Sequence, residues 1–266
     1  MQGTVDGFSY GLVTPVAAYL MACLGGALGL RCTARSLMGG RTRKTAWLAL
    51  GATAIGSGIW TMHFIAMMGF AVKETPVSYD TTLTFASLGV AIVMVGIGVF
   101  IVGFHGATPM ALVTGGTITG LGVASMHYLG MAGMRLRGQL LYDTPTVALS
   151  VVIAVVAATT ALWAAVSIRG FLPSLGASLV MGLAVSGMHY TGMAALSVHL
   201  HGSTGPSGGQ PSTMLLAPML IGPVVFLVLA GVVVMFDPLL VAGRPDWQRP
   251  AEVGVPRPAR ETSQRR

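Results

Sequence analysis

Charge is what this sequence has least of. Asp, Glu, Lys and Arg together make 9% of its 266 residues, against about 25% in soluble domains. So few charged side chains cannot coat the surface of a soluble protein of this length, and lipid must solvate part of it. Cysteine is nearly absent: Cys23 and Cys32 stand alone. Nine residues apart on one helix they are separated by ~13 Å, too far for a disulfide, and they read as small apolar packing residues. Lys and Arg are missing from the first ten residues. There is thus no basic leader region, and the first apolar run is expected to be kept as a helix. A metal-hydrolase signature, a phosphate-binding glycine loop and a Ser/His/Asp arrangement are also missing, so an enzyme is not expected.

What is present is apolar. Hydrophobic residues make 53% of the chain, with 37 glycines and a mean hydropathy of +0.76. Small residues at this density suit membrane helices that approach closely. The pairs Gly25/Gly29 and Gly116/Gly120 are read that way. Seven stretches are long enough to cross a bilayer: residues 9–30, 45–70, 80–103, 109–134, 145–168, 174–199 and 214–236. Pro109, Pro145 and Pro173 stand near helix starts, where a missing N–H costs little.

The net charge of +7 does not point to nucleic acid, because the basic residues lie in short clusters beside apolar runs. Arg31, Arg35, Arg41, Arg43, Lys44, Arg169 and six arginines after residue 237 fall on one side of the seven spans. Only Lys73, Arg135 and Arg137 fall on the other. The richer side is expected to be cytoplasmic. The fold class is therefore an all-α integral membrane protein of seven transmembrane helices in a cell membrane, N-terminus outside and C-terminus cytoplasmic. Residues 1–236 form the membrane domain. Residues 237–266 read as a basic, disordered tail with no room for a soluble output domain, and residues 202–212 as a flexible connection.

The most specific feature is a repeat. Trp60-Thr61-Met62-His63-Phe64-Ile65-Ala66-Met67, Ala124-Ser125-Met126-His127-Tyr128-Leu129-Gly130-Met131 and Ser186-Gly187-Met188-His189-Tyr190-Thr191-Gly192-Met193 align without gaps. Spacings of one helical hairpin place the copies on helices two, four and six, all running the same way. Tyr79-Asp80-Thr81 and Tyr142-Asp143-Thr144 echo the same duplication before helices three and five. Three parallel two-helix repeats plus a seventh helix follow, with a rough three-fold arrangement expected. It is unlike an inverted transporter repeat.

Each histidine is expected about two turns, ~10 Å, inside the outer surface. An ionisable group at that depth usually faces the bundle interior. His63 and Met67 share a helix face, as do His127 and Met131, and His189 and Met193. Met62, Met126 and Met188 lie on a flank. The small residues Ala66, Gly130 and Gly192 leave space or allow a close helix approach. Imidazole and thioether together favour a soft metal such as copper, and the absence of carboxylates from the motifs speaks against calcium or magnesium. The alternatives are methionines that only pack and histidines that hydrogen-bond across helices to groups such as Thr61, Ser125 or Ser186. His105 reads as a polar loop residue, and His199 and His201 as residues at the outer end of helix six. Asp80 and Asp143 read as helix caps.

The three motifs, named for Met-His-Tyr-Thr, resemble those of the MHYT domain family over about residues 8–236. The resemblance implies a bacterial sensor domain of this topology, proposed to bind copper and through it to sense oxygen, carbon monoxide or nitric oxide. Many members join it to cyclic-di-GMP turnover domains. Carried onto this chain, it marks Met62, His63, Met67, Met126, His127, Met131, Met188, His189 and Met193. Phe64 replaces the tyrosine in the first copy, and Thr191 alone keeps the threonine. The expected partners are the lipid bilayer, a copper ion, a diatomic gas and a cytoplasmic signalling protein. Two other readings remain open: a copper carrier or transporter, which predicts further soft ligands along the bundle, and a haem redox protein with two axial histidines.

Overall fold

The structure is a computed structural model and describes residues 3–38, 40–200 and 212–237. The expected connection at 202–211, His201 and the tail from 238 lie outside the described residues. Seven helices among them are long and apolar enough to cross a membrane. They are α1 (Val13–Ser36), α2 (Arg41–Met68), α3 (Thr81–His105), α4 (Pro109–Ala132), α5 (Thr144–Ser167), α6 (Phe171–Ala194) and α7 (Ser212–Met235). The chain is a multi-pass membrane protein.

The helix starts follow local chemistry. Asp80 caps α3 by accepting from the Leu83 N–H at 3.0 Å, and Asp143 caps α5 by accepting from the Thr146 N–H at 3.1 Å. Pro109 opens α4 behind the Thr108 cap. Pro145 and Pro173 fall in the first turns of α5 and α6, where their missing N–H would have been unpaired anyway.

Several boundaries differ from expectation, those of the first and sixth helices most. The first helix starts at Val13, not residue 9, because Gly11 at φ +59° holds a turn. It also runs on to Ser36 and takes Arg31 and Arg35 into the helix. Their guanidiniums stay partnered: Arg31 lies 5.1 Å over the Phe171 ring, and Arg35 pairs with Asp237 at 2.9 Å. The sixth helix ends at Ala194, not residue 199. Residues Leu196–Leu200 alternate in burial and form a strand, so His199 is an exposed strand residue opposite Gln139.

Around the bundle each helix packs on the next, and α6 returns to α1, closing a ring of six. The seventh helix lies outside the ring against α2 and α1. Glycines set the closest approaches. A Cβ on Gly25 would stand 2.8 Å from the Gly58 Cα, and one on Gly120 would stand 2.4 Å from the Val155 Cα. The glycine pairs therefore do serve helix packing, between α1 and α2 and between α4 and α5.

One end of the bundle carries a cap of three two-stranded antiparallel ladders. They pair β1 (Val5–Asp6) with β2 (Ala71–Val72), β3 (Ser78–Tyr79) with β4 (Met134–Arg135), and β5 (Gly138–Tyr142) with β6 (Leu196–Leu200). The three-fold repetition extends to single hydrogen bonds. The residues ending α2, α4 and α6 each offer a carbonyl: Gly69 accepts from the Ser9 N–H at 3.0 Å, Gly133 from the Asp80 N–H at 2.8 Å and Ala195 from the Asp143 N–H at 2.9 Å. Ser9 thus holds the place of the two aspartates, and Phe8-Ser9 is a diverged third copy of Tyr79-Asp80 and Tyr142-Asp143. Its serine does not cap α1 but donates its hydroxyl to the Gly69 carbonyl at 2.8 Å. That difference accompanies the turn at residues 9–12.

Candidate metal centre

The motif histidines come from α2, α4 and α6 at the capped end and meet on the bundle axis. His63, His127 and His189 are all but fully buried. Their rings stand 4.9, 5.0 and 5.1 Å apart by centroid, each nearly perpendicular to the next. The three Nδ1 atoms form a triangle with sides of 3.0, 3.2 and 3.3 Å. A neutral imidazole carries one N–H. A single Nδ1–H can point at its neighbours, but lone pairs still face each other across the remaining side. Hydrogen bonding within the triad alone therefore cannot satisfy all three contacts.

A cation at the centre would remove that conflict. A point equidistant from three atoms with those spacings lies about 1.8 Å from each, close to the ~2.0 Å metal–imidazole distance. The donor set is three neutral nitrogens with no carboxylate among the described ligand groups within reach. That set suits copper or zinc and not the hard divalent cations. The residues present fit such an ion.

Two of the rings are seated by a glycine of the next motif helix. A Cβ on Gly130 would stand 2.7 Å from the His63 Nε2, and one on Gly192 would stand 2.5 Å from the His127 Nε2. The motif glycine therefore makes room for the neighbouring imidazole, a role the sequence suggested only as space or close approach. Ala66 holds the corresponding motif position on α2. Its methyl group and the His189 ring line one cavity of about 280 Å³ between α2 and α6. The Nε2 atoms of His63 and His127 are buried and have no hydrogen-bond partner among the described residues.

The motif aromatics pack edge-on to their own histidines: Phe64 on His63 at 4.6 Å, Tyr128 on His127 at 4.8 Å and Tyr190 on His189 at 4.9 Å. Each then meets the aromatic before a cap position, Tyr79, Tyr142 and Phe8 respectively. The surroundings also fix the helices. The Trp60 indole donates to the Thr84 carbonyl at 3.1 Å and the Ser87 hydroxyl at 3.0 Å, tying α2 to α3. The Tyr128 and Ser150 hydroxyls share a 2.6 Å hydrogen bond that ties α4 to α5. The buried Tyr190 hydroxyl on α6 has no such partner among the described residues.

The methionines divide into three settings. Met62, Met126 and Met131 are buried in the core. Met188 lines a small apolar cavity of about 50 Å³ deeper in the bundle, beside Met181 and the alanines of α5. Met67 and Met193 line the larger cavity beside His189. The hydrogen bonds considered for the histidines do not form among the described residues: the Thr61 and Ser186 hydroxyls are buried without a partner there, and Ser125 is exposed. His105 ends α3 with its Nδ1 3.0 Å from the Ile101 carbonyl. Outside the spans, burial pushes the Tyr142 hydroxyl up to about 12 and raises that of Tyr79. Both rings therefore enter the cap as neutral packing groups.

Seven membrane helices with a three-fold repeated histidine motif at one end define a multi-pass membrane domain built on a triplicated helical hairpin. The family model described as "Bacterial signalling protein N terminal repeat" matches residues 56–115, 120–178 and 182–251, and the chain belongs to this MHYT family. It is similar to the bifunctional diguanylate cyclase/cyclic di-GMP phosphodiesterase MucR of Pseudomonas aeruginosa, at 36% identity over 75% of this chain and 30% of that protein. It is similar to the cyclic di-GMP phosphodiesterase NbdA of the same organism, at 34% identity over 76% of this chain and 27% of that protein. It also resembles the signaling protein YkoW of Bacillus subtilis, at 30% identity over 68% of this chain and 23% of that protein. The chain thus spans under a third of the length of these relatives. No solved structure matches.

Proposed function

We propose that this chain is the membrane part of a signalling system and holds one copper ion among His63, His127 and His189. The capped end would face outward and the basic loops the cytoplasm. The convergence of three Nδ1 atoms within 3.3 Å of one another carries this reading. Copper at that point would supply a soft, redox-active centre at which oxygen, carbon monoxide, nitric oxide or a change of oxidation state could act. The protein's share is to hold three neutral imidazoles edge to edge, exclude carboxylates and wall the site with aromatic rings and methionines. Met62, Met67, Met126, Met131, Met188 and Met193 would form that soft surround. Because His63, His127 and His189 join α2, α4 and α6 on the bundle axis, a change of coordination would alter how the three hairpins sit together. The output would pass to a cytoplasmic signalling partner, in line with the cyclic di-GMP enzymes to which the chain is similar.

Two observations weigh against the other readings. Axial histidines on opposite sides of a haem iron stand ~4 Å apart with the macrocycle between them, and the triad leaves no such gap. Beneath the triad the small cavity offers only the Met188 and Met181 thioethers and the Thr119 hydroxyl among aliphatic residues, a thin continuation of soft ligands for a cation crossing the bundle.

The test is elemental analysis of detergent-purified protein beside a His63→Ala/His127→Ala/His189→Ala variant whose helical content is checked by circular dichroism. Near-stoichiometric copper in the parent, lost in a folded variant, is the expected result. Parent protein that stays metal-free after loading under reducing conditions would remove the metal reading.

A further inference from the structure

The three sides of the cap are not built alike. Two are closed by direct pairing of the connections that follow the motif helices: β3 with β4, and β5 with β6. The third, between α2 and α6, has no such pairing. The N-terminal segment bridges it, with β1 on β2, the Gly3 N–H on the Val198 carbonyl at 2.8 Å and the Thr4 N–H on the Glu74 carboxylate at 2.9 Å. The seats differ in the same way. Two imidazoles lie over glycine, and the third shares a cavity with the methyl group of Ala66. The cavity of about 280 Å³ lies on this side and reaches His189, with Met67 and Met193 in its wall. Phe8 lies at its edge, half exposed and stacked on Tyr190 at 5.7 Å. The pocket on the Tyr128 side is lined by Tyr128, Tyr142 and four other residues but does not reach His127.

We infer that the histidine triad is reached from the capped end by one route, between α2 and α6 under Phe8. The Met67 and Met193 thioethers are the first ligands a soft monovalent cation meets before His189. This rests on the metal reading above and assigns Met67 and Met193, which line the cavity that reaches His189, a different role from the other motif methionines. The two form a landing site on the path, while Met62, Met126 and Met131 do not line that cavity. Thioether sulfur is a soft neutral ligand suited to Cu(I) and its analogue Ag(I), and the buried, unpartnered Tyr190 hydroxyl beside it adds a weak polar contact without charge. Phe8 is half exposed and lies on the segment between β1 and α1, outside the helices.

The experiment has a metal-free arm and a metal arm. In the first, detergent-purified protein is treated with diethyl pyrocarbonate and each histidine is followed by mass spectrometry. His189 is expected to be modified before His63 and His127. Phe8→Ala should speed its modification severalfold, whereas Tyr142→Ala, the matching change on a paired side, should leave it unchanged. Equal modification of the three, or no effect of Phe8→Ala, would overturn the route. In the second arm Ag(I) uptake is timed. Phe8→Ala should speed loading and release alike at unchanged final stoichiometry, and Met67→Leu/Met193→Leu should slow loading severalfold. Stoichiometric silver with rates untouched by these variants would overturn the route and leave the metal site standing. Early labelling of His189 in a protein that binds no silver would instead overturn the metal reading.

Discussion

Helices α2 and α6 carry the same motif and deliver equivalent histidines to one point, yet 72% of the most apolar stretch of α2 is buried and only 22% of that of α6. The first is surrounded by α1, α3 and α7 and anchored by the Trp60 indole. The second faces lipid over much of its length, and its motif tyrosine lacks the hydroxyl partner that Tyr128 has. Identical histidines are therefore mounted on a fixed post and on a looser one.

The largest expected effect tests how firmly that post is held. Arg35 near the end of α1 pairs with Asp237 after α7, both side chains nearly buried, and stacks on Trp47. Removing one partner of a buried ion pair strands the other, at a cost of about 3 kcal/mol. Asp237→Ala should lower the unfolding midpoint in detergent by that order, with α7 the first helix to lose protection in hydrogen exchange. Full stability in that variant would mean that α7 is held by apolar packing on α2 alone.

Glycine substitutions sharpen the contrast. On α2 a Cβ at Gly58 would stand 2.7 Å from the Gly25 Cα. Backbone cannot step aside cheaply, so Gly58→Ala should cost about 1–3 kcal/mol. On α6 a Cβ at Gly187 meets nothing within 4 Å, and Gly187→Ala should be neutral or stabilising by about 0.5–1 kcal/mol. Thermal unfolding of the two variants side by side decides it. Equal effects would mean that the two helices are equally confined.

Much of this was legible in the residues. Hydropathy set the seven helices, and the repeat spacing put the histidines on three parallel ones. The pairs Tyr79-Asp80 and Tyr142-Asp143 marked two helix starts. The third copy, Phe8-Ser9, escaped because both residues changed type. Only the shared hydrogen bond to a helix-ending carbonyl and the shared aromatic contact show that they are equivalent. The strand at Leu196–Leu200 was read as helix because apolar content alone does not separate a short strand from a helix end. Its partner lies 56 residues away in sequence for the pair Leu141 and Ser197. Arg35 was counted as a loop charge because its carboxylate partner follows the seventh helix. That Nδ1, and not the methionines, forms the meeting point depends on ring orientation, which spacing cannot give.

The smallest expected effect concerns the cap itself. The Leu83 N–H, and then Arg135, hold the Asp80 carboxyl below its ordinary value of 3.8. The Thr146 hydroxyl and N–H do the same for Asp143, and Thr4 does so for Glu74, whose ordinary value is 4.5. A carboxylate whose pKa is lowered by folding adds stability that is complete above the ordinary value. That stability is lost as pH falls through the lowered one. In acid, then, the starts of α3 and α5 and the tie at Thr4 should loosen together. Ser9 holds Gly69 through a hydroxyl and an amide that do not ionise in this range, so the third side should keep that bond. Amide shifts of Leu83, Thr146 and Thr4 should titrate with midpoints below the ordinary values while the Ser9 amide stays still. Midpoints at or above 3.8 for Asp80 and Asp143 would mean that their caps do not form in solution. The likeness of the three sides would then rest on the carbonyl hydrogen bonds alone.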